Sequence, residues 1–394
     1  MAPKKQSKKS NSSTGVTYVG NVKSKKQAEE DEFEKFLSDL SKVTKKADSQ
    51  KSKQDLQSGG AHKPRATHPV VLGKKKQNDV EAALLSQQRQ IEFKQLFREL
   101  MMRSVLLEKP DTTFHGEVVN ENPKFEVAVG SMQGWRINME DAHFVKVDFP
   151  VHGNFGEQAL FGVFDGHLGR TSADRCSNLL PELAKKYFDS ESDRIDFDAA
   201  FMDLDQCLAD EKKDDSGCTA IVVHVTASQI TCAWVGDSRA VLCRNGAALD
   251  LSYDHKPELK SEQERIVAAG GFVQDNRVNG QLAMSRAMGD FTYKTRKDLN
   301  ARKQQVIAVP DVMTVERDHE VDAFVVLACD GIFDVLTNEQ LITFIMLRKS
   351  EGLGNEAICK AVCQHCLAPL GEAKGQPARP DGTDNMSIII VDLK

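Results

Sequence analysis

Nowhere in the 394 residues does an apolar run approach the roughly 18–20 residues that a membrane-spanning helix needs. No membrane association is therefore expected. No apolar leader opens the chain either; lysine and serine stand there instead. Ala2 follows Met1, where N-myristoylation needs glycine. The nine cysteines are odd in number and show no pairing by spacing. Reduced thiols in an intracellular protein, of cytoplasm or nucleus, are the expectation. No segment repeats at a fixed period. No basic–aromatic stripe crosses residues 79–394, whose net charge of −16 would repel a polyanion. Nucleic acid is therefore not an expected partner of that region.

The overall charge of −6 conceals an asymmetry, because residues 1–78 hold 18 Lys/Arg against 8 Asp/Glu, a net of +10. Two parts with opposite charge imply two roles. Residues 1–27 are rich in Lys, Ser, Asn and Gln and poor in large apolar residues. They cannot bury enough apolar surface to offset the entropy of ordering, so disorder is expected. Lys4-Lys5 and Lys8-Lys9 fit a solvated tail or a nuclear-import or anionic-surface patch. Phe33, Phe36, Leu37, Leu40 and Val43 recur at helical spacing, which predicts a short amphipathic helix over 28–46. Residues 47–78 read as a linker. A longer amphipathic helix is predicted from Asp79 to about Leu107, within a segment 79–110, with Leu84, Ile91, Phe97, Leu100 and Met101 near one face. That face needs cover, either from the chain's own domain or from a protein partner.

From Phe125 onward short β-branched and apolar runs alternate with Gly- and Asp-containing turns. Leu160–Phe164, Thr219–Val225, Ile230–Val235, Arg239–Cys243, Ala323–Cys329 and Met386–Val391 read as strands. Arg244-Asn245-Gly246 reads as a hairpin turn. Helices are expected at Ser172–Phe188, Asp196–Asp210, Ser261–Ala269, Asn338–Lys349 and Asn355–Leu367. The pattern predicts an α+β domain of two antiparallel sheets flanked by helices, over residues 111–394.

Several apolar runs end or turn on an acid. Phe161–Phe164 runs into Asp165-Gly166-His167, and Ala323–Cys329 runs into Asp330-Gly331. Asp237 joins two strands, Asp384 precedes the last one, and Glu140-Asp141 follows Arg136. Singly, each is an ordinary turn. Together, acids at strand ends can converge on one rim, where their mutual repulsion resists ionisation unless cations sit among them. All-oxygen ligation suits Mg²⁺ or Mn²⁺ and not zinc. Two such ions can lower the pKa of a shared water and polarise a phosphoryl group. Gly166, lacking a side chain, lets its carbonyl approach an ion. Arg136 offers the fork that a phosphate dianion needs. His167 is placed to protonate a leaving alkoxide.

The ordered set of motifs resembles the metal-dependent serine/threonine phosphatases of type 2C, the PPM family. It comprises Arg-Ile-Asn-Met-Glu-Asp-Ala (136–142), Phe-Asp-Gly-His (164–167), Ser-Gly-Cys-Thr-Ala (216–220) and Gly-Asp-Ser-Arg (236–239). Asp-His-Lys-Pro (254–257), Arg-Val-Asn-Gly (277–280), Ser-Arg-Ala-Met-Gly-Asp (285–290), Ala-Cys-Asp-Gly-Ile-Phe-Asp (328–334) and Asp-Asn-Met-Ser (384–387) continue it. The resemblance implies a β-sandwich with helices on both outer faces, phosphoprotein substrates, and two Mg²⁺ or Mn²⁺ ions. It implies that Asp165 bridges the ions, that Asp330 and Asp384 complete one, and that Glu140 and the Gly166 carbonyl serve the other. Asp141 would orient metal-bound water, Arg136 would hold phosphate, and His167 would be the general acid. Asp237 with Asp330 would form a weaker third metal site. Residues 256–296 resemble the flap that borders the groove and influences substrate choice.

Leu168 departs from the pattern, since many members have a small residue after the histidine. The first ~110 residues match nothing in the catalytic family. Cys359, Cys363, Cys366 and His365 invite a zinc reading, but buried helix cysteines are the expectation. The main competing function is a pseudophosphatase scaffold, which would be expected to have lost a ligand; the full set is present here. A two-metal nuclease conflicts with the acidic balance. A small-molecule phosphatase differs only in what surrounds the phosphate.

Overall fold

A strand buried on both faces reads as an unbroken apolar run, and a strand at a sheet edge does not. A computed structural model, which describes residues 105–119, 121–149, 158–211, 213–372 and 375–394, arranges the chain on that distinction. The main strands are β1 (Leu106–Val119), β2 (Phe125–Arg136), β3 (Ala142–Lys146), β4 (Ala159–Phe164), β5 (Ala220–Val225) and β6 (Gln229–Val235). They continue with β7 (Arg239–Arg244), β8 (Ala247–Asp250), β9 (Asp311–Glu316), β10 (Asp322–Ala328) and β11 (Met386–Leu393). The helices are α1 (Thr171–Lys186), α2 (Phe197–Glu211), α3 (Lys260–Ala268), α4 (Asp330–Phe333), α5 (Asn338–Ser350) and α6 (Asn355–Cys366).

One sheet runs β1-β2-β11-β10-β7-β8 and the other β9-β6-β5-β4-β3, every pairing antiparallel. Alternation along each strand divides the side chains between layers. Val127 and Val129 of β2, Val325 and Leu327 of β10, and Ile389 and Val391 of β11 face Phe161, Val163, Ile221 and Val223 of the other sheet. Their neighbours Ala128, Phe324, Val326, Ile388 and Ile390 point outward, onto Leu341, Ile342 and Ile345 of α5 and Ile358 and Val362 of α6. Leu160, Phe164 and Val222 do the same beneath Leu180 of α1 and Phe201 and Leu204 of α2. The expected α+β sandwich, with helices on both outer faces, is the observed architecture. Thr337 starts α5 with a reciprocal capping box to Gln340, which satisfies two otherwise orphan donors. Asn245 and Gly246 both have positive φ, 53° and 78°, so they form the tight hairpin between β7 and β8. Residues 256–296 contribute α3 and a small separate core around Ile266, Val278 and Ala287.

One expectation needs correction. The helix predicted from Asp79 to about Leu107, and the segment 79–110 assigned to it, do not take in Leu106–Pro110. Those residues open β1, which pairs Leu106 with Arg136 and Asp111 with Gly134 across an irregular register. Pro110 cannot donate to a ladder and would break a helix, but an irregular edge strand accommodates it. The sheet therefore starts before residue 111. The tail 1–27, the helix 28–46, the linker 47–78 and the rest of the segment 79–110 up to residue 104 lie outside the described residues.

The nine cysteines carry no disulfide. Cys359, Cys363 and Cys366 are buried in the apolar layer under the six-stranded sheet. His365 instead packs on the Phe344 ring at 5.2 Å between centroids. Among the described residues these four form no metal-ligating group.

Candidate active site

The acids singled out in the sequence meet at one end of the sandwich because each stands where a strand stops. Asp165 follows β4, Asp237 links β6 to β7, Asp330 begins the single turn α4 after β10, and Asp384 precedes β11. Glu140 and Asp141 lie between β2 and β3. Asp165 is pinned through its backbone: its N–H donates to the Thr219 hydroxyl at 3.1 Å, and its carbonyl accepts from the Thr219 N–H at 2.9 Å. The Thr219 hydroxyl meets that of Ser238, beside Asp237, at 2.7 Å. A loop position is thereby held as firmly as a strand.

The electrostatics of this rim are unfavourable as it stands. Burial pushes the Asp165 carboxyl well above the usual range, and the carboxylates of Asp330, Asp141, Asp384 and Asp237 push it further. Burial does the same to Asp330, with Asp384, Asp237 and Asp334 adding to it. Asp141 is 3 % exposed. Its burial, with Asp384 nearby, raises it to about 7 despite the opposing Ser387 hydroxyl and Cys329 thiol. Oδ1 of Asp237 and Oδ1 of Asp330 are buried without a hydrogen-bond partner, and the Asp141 oxygens, though near the Ser387 hydroxyl and the Cys329 thiol, are buried with no partner in hydrogen-bonding geometry. Ligand atoms of Asp141, Asp165 and the Cys329 thiol all fall within 4.8 Å of one another. Unsatisfied buried oxygens beside mutually repelling acids are the signature of a donor set that wants cations. The donors fit hard divalent ions. Burial raises the Cys329 thiol well above its ordinary value, so it stays protonated and forms part of the wall.

Each of the remaining site residues has a definite place. Gly166 lies so close to the Glu140 carbonyl that a methyl group on its α-carbon would collide with it. Glu140 in turn donates its N–H to Asn385 Oδ1 at 2.8 Å. Arg136, at the end of β2, donates to Asp384 Oδ2 and keeps a guanidinium side chain 42 % exposed. Asp237 Oδ2 accepts from Lys256 Nζ at 2.6 Å. His167 stands one residue past Gly166, at 2.7 Å from the carboxylate of Asp290. Leu168 is forced to a φ of 56° and lies 75 % exposed. A branched residue in that region is strained.

Three contributors carry no assigned role from the sequence. Asn385 bridges loops through three hydrogen bonds, Lys256 neutralises Asp237, and Asp290 contacts His167. All three sit inside quoted motifs, so their presence was visible. Their partners were not, because the contacts span 245, 19 and 123 positions in sequence.

Comparison with known proteins bears on the family and the fold. The family model for protein phosphatase 2C matches residues 125–374. A Saccharomyces cerevisiae protein named protein phosphatase 2C homolog 2 is 41 % identical over 271 residues, 67 % of this chain and 57 % of that protein. The match thus spans little more than half of the yeast relative's length. A probable protein phosphatase 2C of Caenorhabditis elegans is 41 % identical over 279 residues, 69 % of this chain and 75 % of the relative. In shape, a phosphatase crystal structure from Toxoplasma gondii superposes with a TM-score of 0.60 at 23 % identity, covering 71 % of this chain and 96 % of its own. That likeness concerns the fold. On the family match and the two relatives, the chain belongs to the protein phosphatase 2C family.

Proposed function

We propose that this protein hydrolyses phosphoserine and phosphothreonine esters on other proteins, with Mg²⁺ or Mn²⁺ as cofactor. The observation that carries the reading is the set of buried, unpartnered oxygens of Asp141, Asp237 and Asp330 packed around Asp165. Asp165, Asp330 and Asp384, with Glu140 and the Gly166 carbonyl, are the residues that would hold two ions. Asp237 with Asp330 would take a weaker third. When bound, such ions supply Lewis acidity at phosphorus and a water acidified for attack. The chain itself supplies the rest. Asp141 orients water, and the Arg136 fork holds the phosphate oxygens. His167 gives a proton to the departing serine or threonine oxygen. The substrate is a phosphoprotein. Among the described residues no helix is long and apolar enough to cross a membrane. The cytoplasm or nucleus is the proposed setting.

The test is turnover of a phosphopeptide with Mn²⁺, beside a nucleotide and a sugar phosphate, with and without chelator. Peptide turnover that needs the metal and exceeds that of the small esters is expected. Full activity in chelator, with metal analysis showing none bound, would refute the mechanism. A metal-loaded protein inactive on every phosphopeptide would favour the scaffold reading instead.

A further inference from the structure

Asp290 carries a carboxylate that is 1 % exposed, and the reading above gives it no task. Three two-residue strands bring it to the site. Gly166–His167 pairs with Gly217–Cys218, which pairs with Met288–Gly289, and Asp290 follows directly. Asp290 turns away with a φ of 53°, a left-handed conformation that aspartate tolerates better than most residues. Its backbone is tied on both sides. The N–H donates to the Ser216 carbonyl at 3.2 Å, and the carbonyl accepts from the Tyr293 N–H at 3.0 Å. Its Oδ2 then lies 2.7 Å from His167 Nε2. Space for this pair exists because residue 217 is glycine: a methyl group there would collide with both Asp290 Oδ2 and His167 Nε2. Asp290 Oδ1 has no hydrogen-bond partner, so the ring is where this carboxylate makes its polar side-chain contact.

We propose that Asp290 is the positioning residue of His167. It accepts the Nε2–H, which fixes the ring's orientation and tautomer and leaves Nδ1 as the nitrogen that serves the substrate. For this step the ring carries both protons: as the P–O bond breaks, its electron pair goes to the serine or threonine oxygen, and that oxygen takes the Nδ1 proton, which leaves the neutral Nε2–H tautomer. The attacking water supplies the oxygen gained by phosphorus, leaves one proton on the phosphate and releases the other to solvent. The Nε2 proton stays on the ring, against Asp290, and solvent later restores the proton on Nδ1. The proposal rests on the reading of His167 as general acid.

Leaving-group dependence tests it on the metal-loaded full chain. A phosphoserine peptide needs a proton on its leaving oxygen; p-nitrophenyl phosphate does not. Asp290→Ala is expected to slow the peptide at least roughly 10-fold, and by no more than the roughly 10²–10⁴-fold that general acid catalysis contributes, while the aryl ester changes less than about 3-fold. Asp290→Asn, whose side-chain oxygen still accepts from Nε2–H, should recover part of the loss and serves as the second variant if alanine impairs folding. The double variant with His167→Gln should be no slower than His167→Gln alone, because one task is lost once. Nitrogen-15 histidine spectra of the metal-free protein should show the His167 proton on Nε2 in the wild type, and a changed signal in Asp290→Ala. Equal slowing of both substrates, or multiplying losses in the double variant, would overturn the proposal. If both Asp290 variants fail to fold, Asp290 is a packing residue and the proposal falls as well. If His167→Gln itself slows both substrates equally, the acid reading of His167 fails first. If His167→Gln shows the split and the Asp290 variants do not, only the positioning role fails.

Discussion

Asn385→Ala removes a side chain that ties the end of β2 and the loop after it to the residue before β11. Its Nδ2 donates to the Gln133 carbonyl at 2.8 Å and to the Asn138 carbonyl at 3.0 Å, while Oδ1 accepts from the Glu140 N–H at 2.8 Å. Each bond contributes about 0.5–1.5 kcal/mol net, so the three together contribute roughly 2–4 kcal/mol. Asn138 lies exposed, and water can replace part of what its carbonyl loses. The expected destabilisation is therefore near the lower end, about 2 kcal/mol. The second effect is on the site. Glu140 and Asp141 sit on the loop that Asn385 holds, so Mn²⁺ affinity should fall roughly 10-fold, as it does when groups supporting metal ligands are removed. Urea denaturation of the metal-free protein reads the first number, and calorimetric Mn²⁺ titration reads the second. Asn385→Asp, which keeps the acceptor and loses both donors, should also weaken the tie to Gln133 and Asn138. A loss under about 0.5 kcal/mol, with Mn²⁺ affinity unchanged, would refute the reasoning.

The metal-free protein should lose stability as pH rises from about 4 to about 7: Asp141 keeps its proton in the folded state up to about 7, whereas the unfolded chain releases it near the ordinary value of 3.8. Above the folded value the Asp141 contribution is complete; Asp165 and Asp330, also raised, slope stability in the same direction, so Asp141→Asn should reduce the slope without abolishing it, and a parallel slope in melts across that window would count against the assignment. Gly166→Ala should destabilise by about 1–3 kcal/mol and sharply weaken Mn²⁺ binding, since the added methyl drives the Glu140 carbonyl away; a variant with wild-type melting and affinity would show that the loop yields freely. Arg136→Ala should raise the KM for a phosphopeptide about 10-fold or more, as loss of a charged hydrogen-bonding group does; an unchanged KM would remove Arg136 from the phosphate site.

What the sequence disclosed about the fold depended on where a strand lies in its sheet. The six runs quoted as strands correspond to β4, β5, β6, β7, β10 and β11, all interior. Interior strands are covered on both faces and paired on both edges, so most of their apolar runs are unbroken; β2 is interior too, but Glu126, Ser131 and Gln133 interrupt its run and it is not among the six. The edge strands β1, β3, β8 and β9 carry polar and charged residues such as Lys109, Asp111, His143 and Glu316. Their composition resembles that of loops, and in β1 the first residues read as the tail of a helix. Helix limits were legible to within a residue or two because the apolar period stops where the cover stops. At the site, the residue types and their order were legible as motifs. The pairing of His167 with Asp290 and the threefold tie of Asn385 were not, because each depends on a register between distant strands that no local pattern specifies.

The position of β11 has a consequence for how the protein comes into being. Its residues, 386–393, form an interior strand of the six-stranded sheet, hydrogen-bonded to β2 on one side and β10 on the other. During synthesis β2, complete at residue 136, must therefore wait for its neighbour until residue 386, and β10, complete at residue 328, waits for the same strand. Asp384 and Asn385 arrive with that same strand. A nascent chain lacking them has neither a closed sheet nor a complete ring of acids. Long-range pairing of this kind makes folding slow and leaves open strand edges exposed meanwhile. Catalytic competence should thus appear abruptly, when β11 clears the ribosome, and a chain stopped before residue 386 should be a target for chaperones or proteases instead of a partly active enzyme.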